Sequence, residues 1–321
     1  MSFDFSAVDH FWRMSEELTR GCEPGDRLWS AIFATAAYRA LTASEFSRDF
    51  FKTCWRAAFR PDCEAETVSP HYDRFIDHYR RTARQRVPIS KFLGELDGSG
   101  WLYERARKQA MEHLPPAHYP EDPEVAFAPF DLDGRGYRPI VIDPLCALTL
   151  AEKLVPFLAH EFHHHYVCQL TGLELGVGPD ARTDLQWVVD QVHLEGLADM
   201  VNRDSAFEQG QSSPGFVSDV DEAPDYLASM NEHLRAVRRH PGDSERRFQK
   251  LRSNLASSGH PLGYYMARVI RRYLGRERLL ETAHDPLLFF RCYVQAGERG
   301  GLEVTLQPEA LEVLEQYYLR G

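Results

Sequence analysis

The sequence lacks the features of several protein classes. Its six cysteines are widely scattered, with none in a C-x-x-C pair, so neither a zinc knuckle nor a dithiol redox site is expected. The 21 glycines and 19 prolines among 321 residues are too few for a collagen-like or disordered composition. With 43% hydrophobic and 12% aromatic residues, the chain can bury a core of ordinary size.

The sequence also has fewer basic than acidic residues. Lys and Arg number 37 against 48 Asp and Glu, which gives a net charge of −11. This charge repels nucleic-acid backbones and anionic membrane surfaces, so we expect neither as a partner. The longest nearly apolar stretch, 28–41, contains Ser30, Thr35 and Arg39 and is too short for a membrane span. Residues 1–14 lack a basic segment that leads into an apolar run, so we expect no secretory signal and predict a cytoplasmic protein.

Hydrophobic spacing divides the chain into two largely helical parts. Apolar residues recur at intervals of three and four from Asp9 to about Leu114, which predicts a helical amino-terminal lobe over 1–120. A proline-rich boundary, Pro115–Pro123, follows this lobe. We therefore expect a different organisation after residue 120.

The second part, 121–321, begins with two β-prone runs within 125–142, which predict a small antiparallel hairpin. Helical patterns follow over 149–202 and 225–321, and a loop is expected over Gly210–Pro224. The predicted fold class is mainly α (α+β), with a small antiparallel sheet.

The segment Ala159–His165 contains an H-E-x-x-H motif, with His160, Glu161 and His164 in the required positions. Residues four apart lie on the same face of a helix, so the two imidazoles can bind one metal ion. Glu161 then lies beside an open coordination position, where its carboxylate can take a proton from a water activated by the metal. The same motif also occurs by chance on helices whose histidines are simply surface groups.

The ends of this helix are less certain than its centre. Pro156 either kinks the helix or lies in its first turn, and Gly172 is predicted to end it. His163 and His165 lie on other faces of the helix than the metal pair. We expect them to form hydrogen bonds in the packed interior.

A catalytic zinc usually has three protein ligands and an open fourth position, so a third ligand must come from elsewhere. The downstream segment 188–200 reads as a buried helix in which Glu195 and Asp199 belong to a polar stripe at a spacing of four. We predict Glu195 as the third ligand and Asp199, one turn later, as the residue that orients a ligand histidine. The alternative for Glu195 is an ion pair with Arg182 or Arg203.

The two segments together, His160-Glu161-x-x-His164 and Glu195-Gly-Leu-Ala-Asp199, resemble the gluzincin class of zinc metallopeptidases. More narrowly, they are similar to uncharacterised bacterial proteins predicted to be zinc-dependent proteases. The resemblance covers about Val125–Asn202. It implies a zincin-like catalytic region over 121–321.

The resemblance also implies the remaining parts of a peptidase site. Zn²⁺ would be bound by the two histidines and Glu195, and an edge strand before the metal helix would hold an extended peptide by main-chain hydrogen bonds. Tyr264 or Tyr265, with His260 as the third choice, would stabilise the oxyanion. The hairpin could instead simply cover the helices, and the tyrosines could simply be packing residues.

The predicted function is therefore zinc-dependent hydrolysis of a peptide bond or another amide bond, with a peptide or a peptide-like small molecule as the substrate. One alternative is a hydrolase of narrow specificity for a peptide-like metabolite. Another is a non-catalytic binding module whose structural zinc is closed by a fourth protein ligand such as Cys168 or His193.

Basic runs interrupt the acidic carboxy-terminal part at 235–239, 268–272 and 276–278. We expect these runs to be solvated helix faces. The alternative is that Arg268 or Arg272 binds a carboxylate of the substrate.

Overall fold

Helices form most of the molecule. The computed structural model describes residues 3–61, 70–97, 100–173 and 183–320, and these residues contain eighteen α-helices and three short β-strands. The mainly α fold with a small β part is therefore confirmed. The elements up to the third strand are α1 (Ser6–Thr19), α2 (Asp26–Ala34), α3 (Ala36–Ser44), α4 (Arg48–Phe59), α5 (Asp73–Arg84), α6 (Arg86–Asp97), α7 (Trp101–Met111), β1 (Val125–Phe127), β2 (Gly134–Arg135) and β3 (Ile140–Ile142).

Only helices and 3₁₀ turns follow the third strand in the described chain. The helices are α8 (Pro144–Leu150), α9 (Leu154–Thr171), α10 (Asp184–Asn202), α11 (Asp204–Glu208), α12 (Pro214–Asp221), α13 (Ala223–Arg239), α14 (Ser244–Asn254), α15 (His260–Leu274), α16 (Arg276–Glu281), α17 (Pro286–Gly300) and α18 (Pro308–Tyr318). The prediction of a loop over Gly210–Pro224 is wrong, because this segment contains the helix α12. Ser213 caps this helix by accepting a hydrogen bond from the Phe216 N–H, and Pro214 occupies its first turn.

The described chain divides into two compact units. The first contains the residues up to Ala106 together with Pro120–His165, and the second contains Arg107–Tyr119, Tyr166–Leu173 and 183–320. Helices α7 and α9 contribute residues to both units. This division follows packing, and the functional division expected at residue 120 stays a prediction.

Aromatic side chains form the core of the first unit. Trp55 on α4 is fully buried, and its ring lies parallel to the Trp29 ring with centroids 6.0 Å apart. Each of the five helices α1 to α5 supplies one ring that surrounds Trp55. These rings are Phe11, Phe33, Tyr38, Phe51 and Tyr79. Aromatic burial of this extent is a large apolar contribution to the stability of this unit.

The three strands form a mixed sheet in the first unit with the order β1-β3-β2. β1 and β3 pair in parallel, with Val125 opposite Ile140, and β2 pairs antiparallel with β3. The predicted antiparallel hairpin between the two β-prone runs is therefore wrong. Residues 128–139 form a connection of the length that parallel strands require, and β2 lies within it.

The two edges of this sheet differ. On the outer side of β1, the Asp4 N–H donates to the Val125 carbonyl at 3.0 Å, and the Phe127 N–H donates to the Asp4 carbonyl at 2.8 Å. β2 forms the opposite edge, and among the described residues it pairs on one side only. The edge at β2 is thus the one at which a further strand could add.

Asp143 determines how the chain leaves the sheet and enters α8. Its buried carboxylate accepts hydrogen bonds at Oδ1 from the N–H groups of Leu145 and Cys146 at 2.9 and 3.0 Å. Its Oδ2 accepts from the Phe130 N–H at 3.0 Å and lies 2.8 Å from Nε2 of the buried His78. This cap fixes the direction of the segment that leads to α9.

In the second unit, α10 and α15 cross at two glycines. A Cβ added to Gly196 would lie 2.5 Å from the Gly263 carbonyl group, and one added to Gly263 would lie 2.1 Å from the Val192 oxygen. Any side chain at either position would force the helices apart. The backbones of α10 and α15 are therefore in direct contact. α10 also packs against α14 and α18, and α15 against α17.

None of the helices in the described part of the chain is both long enough and apolar enough to cross a membrane.

Candidate metal centre

The histidine motif lies in the middle of α9, one continuous helix from Leu154 to Thr171. Pro156 falls in its first turn, so the second of the two interpretations of this proline is confirmed. Gly172, with φ of 71°, ends the helix as predicted, and its N–H donates to the Cys168 carbonyl at 2.9 Å. The motif is thus held well inside regular helix.

His160 and His164 converge on one point. Both rings are buried, their planes are at 88° to each other, and their Nε2 atoms are 3.0 Å apart. Two ring nitrogens at this distance share either a proton or a cation. The spacing of four residues therefore produces the convergent pair that the sequence predicts.

Glu161 is buried on the same helix and lies beside strand β2. A Cβ built on Gly134 would be 3.3 Å from Oε1 of Glu161 and 2.7 Å from Cζ of Phe157. A side chain at position 134 would therefore press on the Phe157 ring and on the carboxylate. Nothing in the sequence around Gly134 indicates that Glu161 is its neighbour.

The two remaining histidines of the run are buried as well. Nε2 of His165 lies 3.1 Å from the Glu121 carbonyl, and burial lowers the pKa of His165. His165 therefore forms a hydrogen bond in the packed interior, as expected. The expectation for His163 stays a prediction.

Glu195 and Asp199 lie one turn apart on α10, Asp184–Asn202, which contains the buried helix predicted over 188–200. Thr183 and Gln186 form a capping box at its start. Asp199 is fully buried and Glu195 is 14% exposed. A helix that buries two carboxylates must offer them hydrogen-bond donors or cations.

His260, the first residue of α15, contacts both carboxylates of α10. Its Nδ1 lies 3.0 Å from Oδ2 of Asp199, and its Nε2 lies 3.3 Å from Oε2 of Glu195. Burial by itself lowers the pKa of His260, but Glu195 and Asp199 outweigh this effect and raise it to about 9. The crossing at Gly196 and Gly263 is what brings the start of α15 to Glu195.

Arg203 pairs with Asp199, not with Glu195 as one interpretation proposed. Its Nε donates to Oδ1 of Asp199 at 2.7 Å, and its guanidinium lies 4.6 Å from the centre of the Phe216 ring. Arg182, the other arginine considered for Glu195, lies outside the described residues.

The two tyrosines predicted as oxyanion donors have other neighbours. The Tyr264 hydroxyl donates to Oδ1 of Asp204 at 3.1 Å, and burial, followed by Asp204, raises the pKa of Tyr264. The Tyr265 ring lies 6.2 Å from the ring of Tyr293. Of the three candidates, His260 is the one whose described contacts within the second unit include Glu195.

The first unit thus brings together His160, Glu161 and His164, and the second brings together Glu195, Asp199 and His260. Of the residues considered for a closed structural site, Cys168 is buried, and His193 lies with its Nε2 2.9 Å from the Thr282 carbonyl. His193 therefore takes part in the packing of α10 against the following helices.

Residues 29–299 match the model of the family described as "Putative zinc dependent peptidase (DUF5700)". The chain belongs to this family. The matched stretch includes both the H-E-x-x-H segment and the Glu195–Asp199 segment. Neither the curated proteins nor the solved structures gave a match.

Zinc is the cofactor in the description of the DUF5700 family, and the donors on α9 fit it. Two imidazole nitrogens bound to one tetrahedral zinc at their usual bond lengths are about 3.4 Å apart. Nε2 of His160 and Nε2 of His164 are 3.0 Å apart, so small rotations of the rings would give that separation. Their burial also keeps competing water away from the nitrogens.

Proposed function

We propose that this member of the DUF5700 family hydrolyses peptide bonds, or other amide bonds of peptide-like molecules, by a gluzincin-type mechanism. His160 and His164 would hold the zinc ion together with Glu195. Family membership supports the general activity, and the order of the two motifs supports the gluzincin type. The observation that carries the proposal is the convergence of two buried Nε2 atoms, 3.0 Å apart, on a helix that also buries Glu161.

Each polar side chain then has a distinct task. Zinc, when bound, supplies a Lewis acid that polarises the scissile carbonyl and makes a water more acidic. The Glu161 carboxylate accepts the proton of the attacking water and passes it to the leaving nitrogen. Asp199 orients imidazole rings by accepting their N–H groups, as it does for His260.

The substrate would lie along the open edge of the sheet. β2 is that edge, and Gly134 places it beside Glu161. An extended peptide added there would form main-chain hydrogen bonds to β2 close to the proposed base. The absence of a side chain at Gly134 leaves room for that approach.

For the oxyanion donor, the contacts in the second unit favour His260 over Tyr264 and Tyr265. His260 lies 3.3 Å from the proposed ligand Glu195, whereas the Tyr264 hydroxyl lies beside a different carboxylate, that of Asp204. An imidazole N–H beside the metal would stabilise a developing negative charge on the carbonyl oxygen. The conservative variants Tyr264→Phe and Tyr265→Phe should then retain most of the turnover.

The proposal is tested by separating zinc binding from turnover. The full-length protein is assayed on a library of unstructured peptides, with cleavage followed by mass spectrometry, and its zinc content is measured. Glu161→Gln should keep one zinc per chain but lose about a hundredfold to ten-thousandfold in kcat, the usual contribution of a general base. His164→Ala should lose both zinc and turnover.

A matched control is His240→Ala, which removes an exposed imidazole after α13 and should change neither quantity. The mechanism is overturned if zinc-loaded Glu161→Gln turns over at the rate of the unchanged protein. The assignment of the ligand is overturned if His164→Ala keeps full zinc content. Removal of zinc by a chelator should abolish cleavage, and added zinc should restore it.

A further inference from the structure

The second unit contains a pocket of about 440 Å³ beside the carboxy-terminal half of α15. Charged and apolar side chains line it, and the one carboxylate among them is that of Glu208. Arg268, Arg271 and Arg272 provide cations. Apolar and aromatic surface comes from residues of α12, α15 and the segment after α17: Val220, Val269, Leu302, Tyr265 and Tyr273.

The three arginines are not equally neutralised. Arg271 forms ion pairs with Asp204 and with Glu208, the latter at 2.8 Å. Arg268 has its Nε 4.0 Å from the same Asp204, whose oxygens Arg271 already contacts. Arg272 has no carboxylate within 4.0 Å among the described residues. The pocket of an acidic protein thus contains positive charge in excess.

Aromatic rings hold the two less neutralised guanidinium groups in place. Arg268 lies 4.6 Å from the centre of the Phe207 ring and 5.7 Å from that of Tyr264, and Arg272 lies 5.3 Å from that of Tyr273. A guanidinium placed over a ring keeps the N–H groups on its edge available, and this planar set of donors matches a carboxylate.

The ring of Tyr273 is itself fixed. A Cβ on Gly300 of α17 would be 2.6 Å from it, so the ring lies directly on the α17 backbone. This packing keeps the wall of the pocket in position beside Arg272. The ring beside Arg272 is therefore in place before any ligand arrives, which lowers the entropic cost of binding.

We infer that this pocket binds a carboxylate carried by an apolar group, with Arg268 and Arg272 as the anion donors and Val269 and Leu302 as the apolar wall. Two sources share this chemistry: the free carboxyl terminus of a peptide, and a small hydrophobic acid. The inference does not depend on zinc or on the proposed hydrolysis.

Isothermal titration with N-acetyl-L-phenylalanine tests the inference, and its uncharged amide is the matched ligand. The acid should bind, and the amide should bind at least about tenfold more weakly because it lacks the charge that an arginine recognises. Arg268→Gln and Arg272→Gln should each weaken binding of the acid by about tenfold. Arg239→Gln, on an exposed residue at the end of α13, should change it less than twofold.

Circular dichroism checks that each variant is folded. The inference is overturned if the folded protein does not bind the acid, if the amide binds equally well, or if Arg239→Gln weakens binding as much as Arg272→Gln does. An N-acetylated pentapeptide ending in phenylalanine separates the two sources. Tighter binding of the pentapeptide than of the acid assigns the pocket to a peptide terminus, and equal or weaker binding assigns it to a small acid.

Discussion

The histidine pair of the first unit and the carboxylate pair of the second are held in place by different means. His160 and His164 lie on a single helix, so the helical repeat alone makes their Nε2 atoms converge. Glu195 and Asp199 also share a helix, but His260, which contacts both, comes from 61 residues beyond Asp199. Its position depends on how α15 crosses α10. The first arrangement is local in sequence, and the second depends on tertiary packing.

This difference predicts where the chain tolerates change. A local arrangement persists as long as its helix does, whereas a packed arrangement fails when the two helices move apart. The helix contact in the second unit should therefore be the more sensitive target. Three substitutions test this comparison, in order of decreasing expected effect.

Gly263→Ala should have the largest effect, because its Cβ would lie 2.1 Å from the Val192 carbonyl oxygen and 2.7 Å from the Gly196 backbone. We expect the free energy of unfolding to fall by about 3 kcal/mol, at the upper end of the range for overpacking. Urea denaturation followed by circular dichroism measures it. The control is Gly215→Ala on α12, where an added Cβ meets nothing within 4 Å and should stabilise by up to about 1 kcal/mol. A Gly263→Ala protein as stable as the control would refute the close helix contact.

His260→Gln should weaken zinc binding by about tenfold to a hundredfold, the range typical of residues that orient metal ligands. The physical reason is the loss of the imidazole that contacts both Glu195 and Asp199. Competition with a chelator at fixed pH measures the affinity. Tyr264→Phe removes a hydroxyl from the same helix, but one that contacts Asp204, so its zinc affinity should stay within twofold. Equal affinities of the two variants would contradict a role for His260 at Glu195.

Gly134→Ala should have the smallest effect on stability, about 1 kcal/mol, because the closest atoms to its Cβ would be the edge of one ring, that of Phe157, which can shift. Zinc content should not change, since the histidine pair is local to α9. Turnover should fall because the added methyl group lies beside Glu161. Gly94→Ala on α6 is the control, with no atom within 4 Å of its Cβ. Full turnover by Gly134→Ala would show that β2 does not act together with Glu161.

The parts of this molecule that the sequence predicts correctly are those set by local periodicity. The spacing of His160 and His164, the buried helix over 188–200 and the end of α9 at Gly172 all follow from helical repeats and a C-terminal glycine. The two β-prone runs do contain β1 and β3. Their parallel pairing was not predicted, because pairing depends on the path of the connection and not on the composition of each run.

Other features are missed, either because the composition of a segment is ambiguous or because they depend on tertiary packing. α12 was missed because its serine, glycine and proline content resembles a loop, although Ser213-Pro214 is a helix start. His260 ranked below two tyrosines as a functional residue, since nothing in its own segment reveals the contact between Gly196 and Gly263. The approach of Gly134 to Glu161 is likewise a property of the packed chain.

The aromatic core around Trp55 has a practical consequence. Four of the five tryptophans, at 12, 29, 55 and 101, belong to the first unit, and Trp187 alone belongs to the second. The guanidinium carbon of Arg252 lies 4.5 Å from the centre of the Trp187 ring. The substitution Trp187→Phe would leave tryptophan fluorescence from the first unit alone. The unfolding of the first unit could then be followed by fluorescence and compared with the loss of helical circular dichroism from the whole chain.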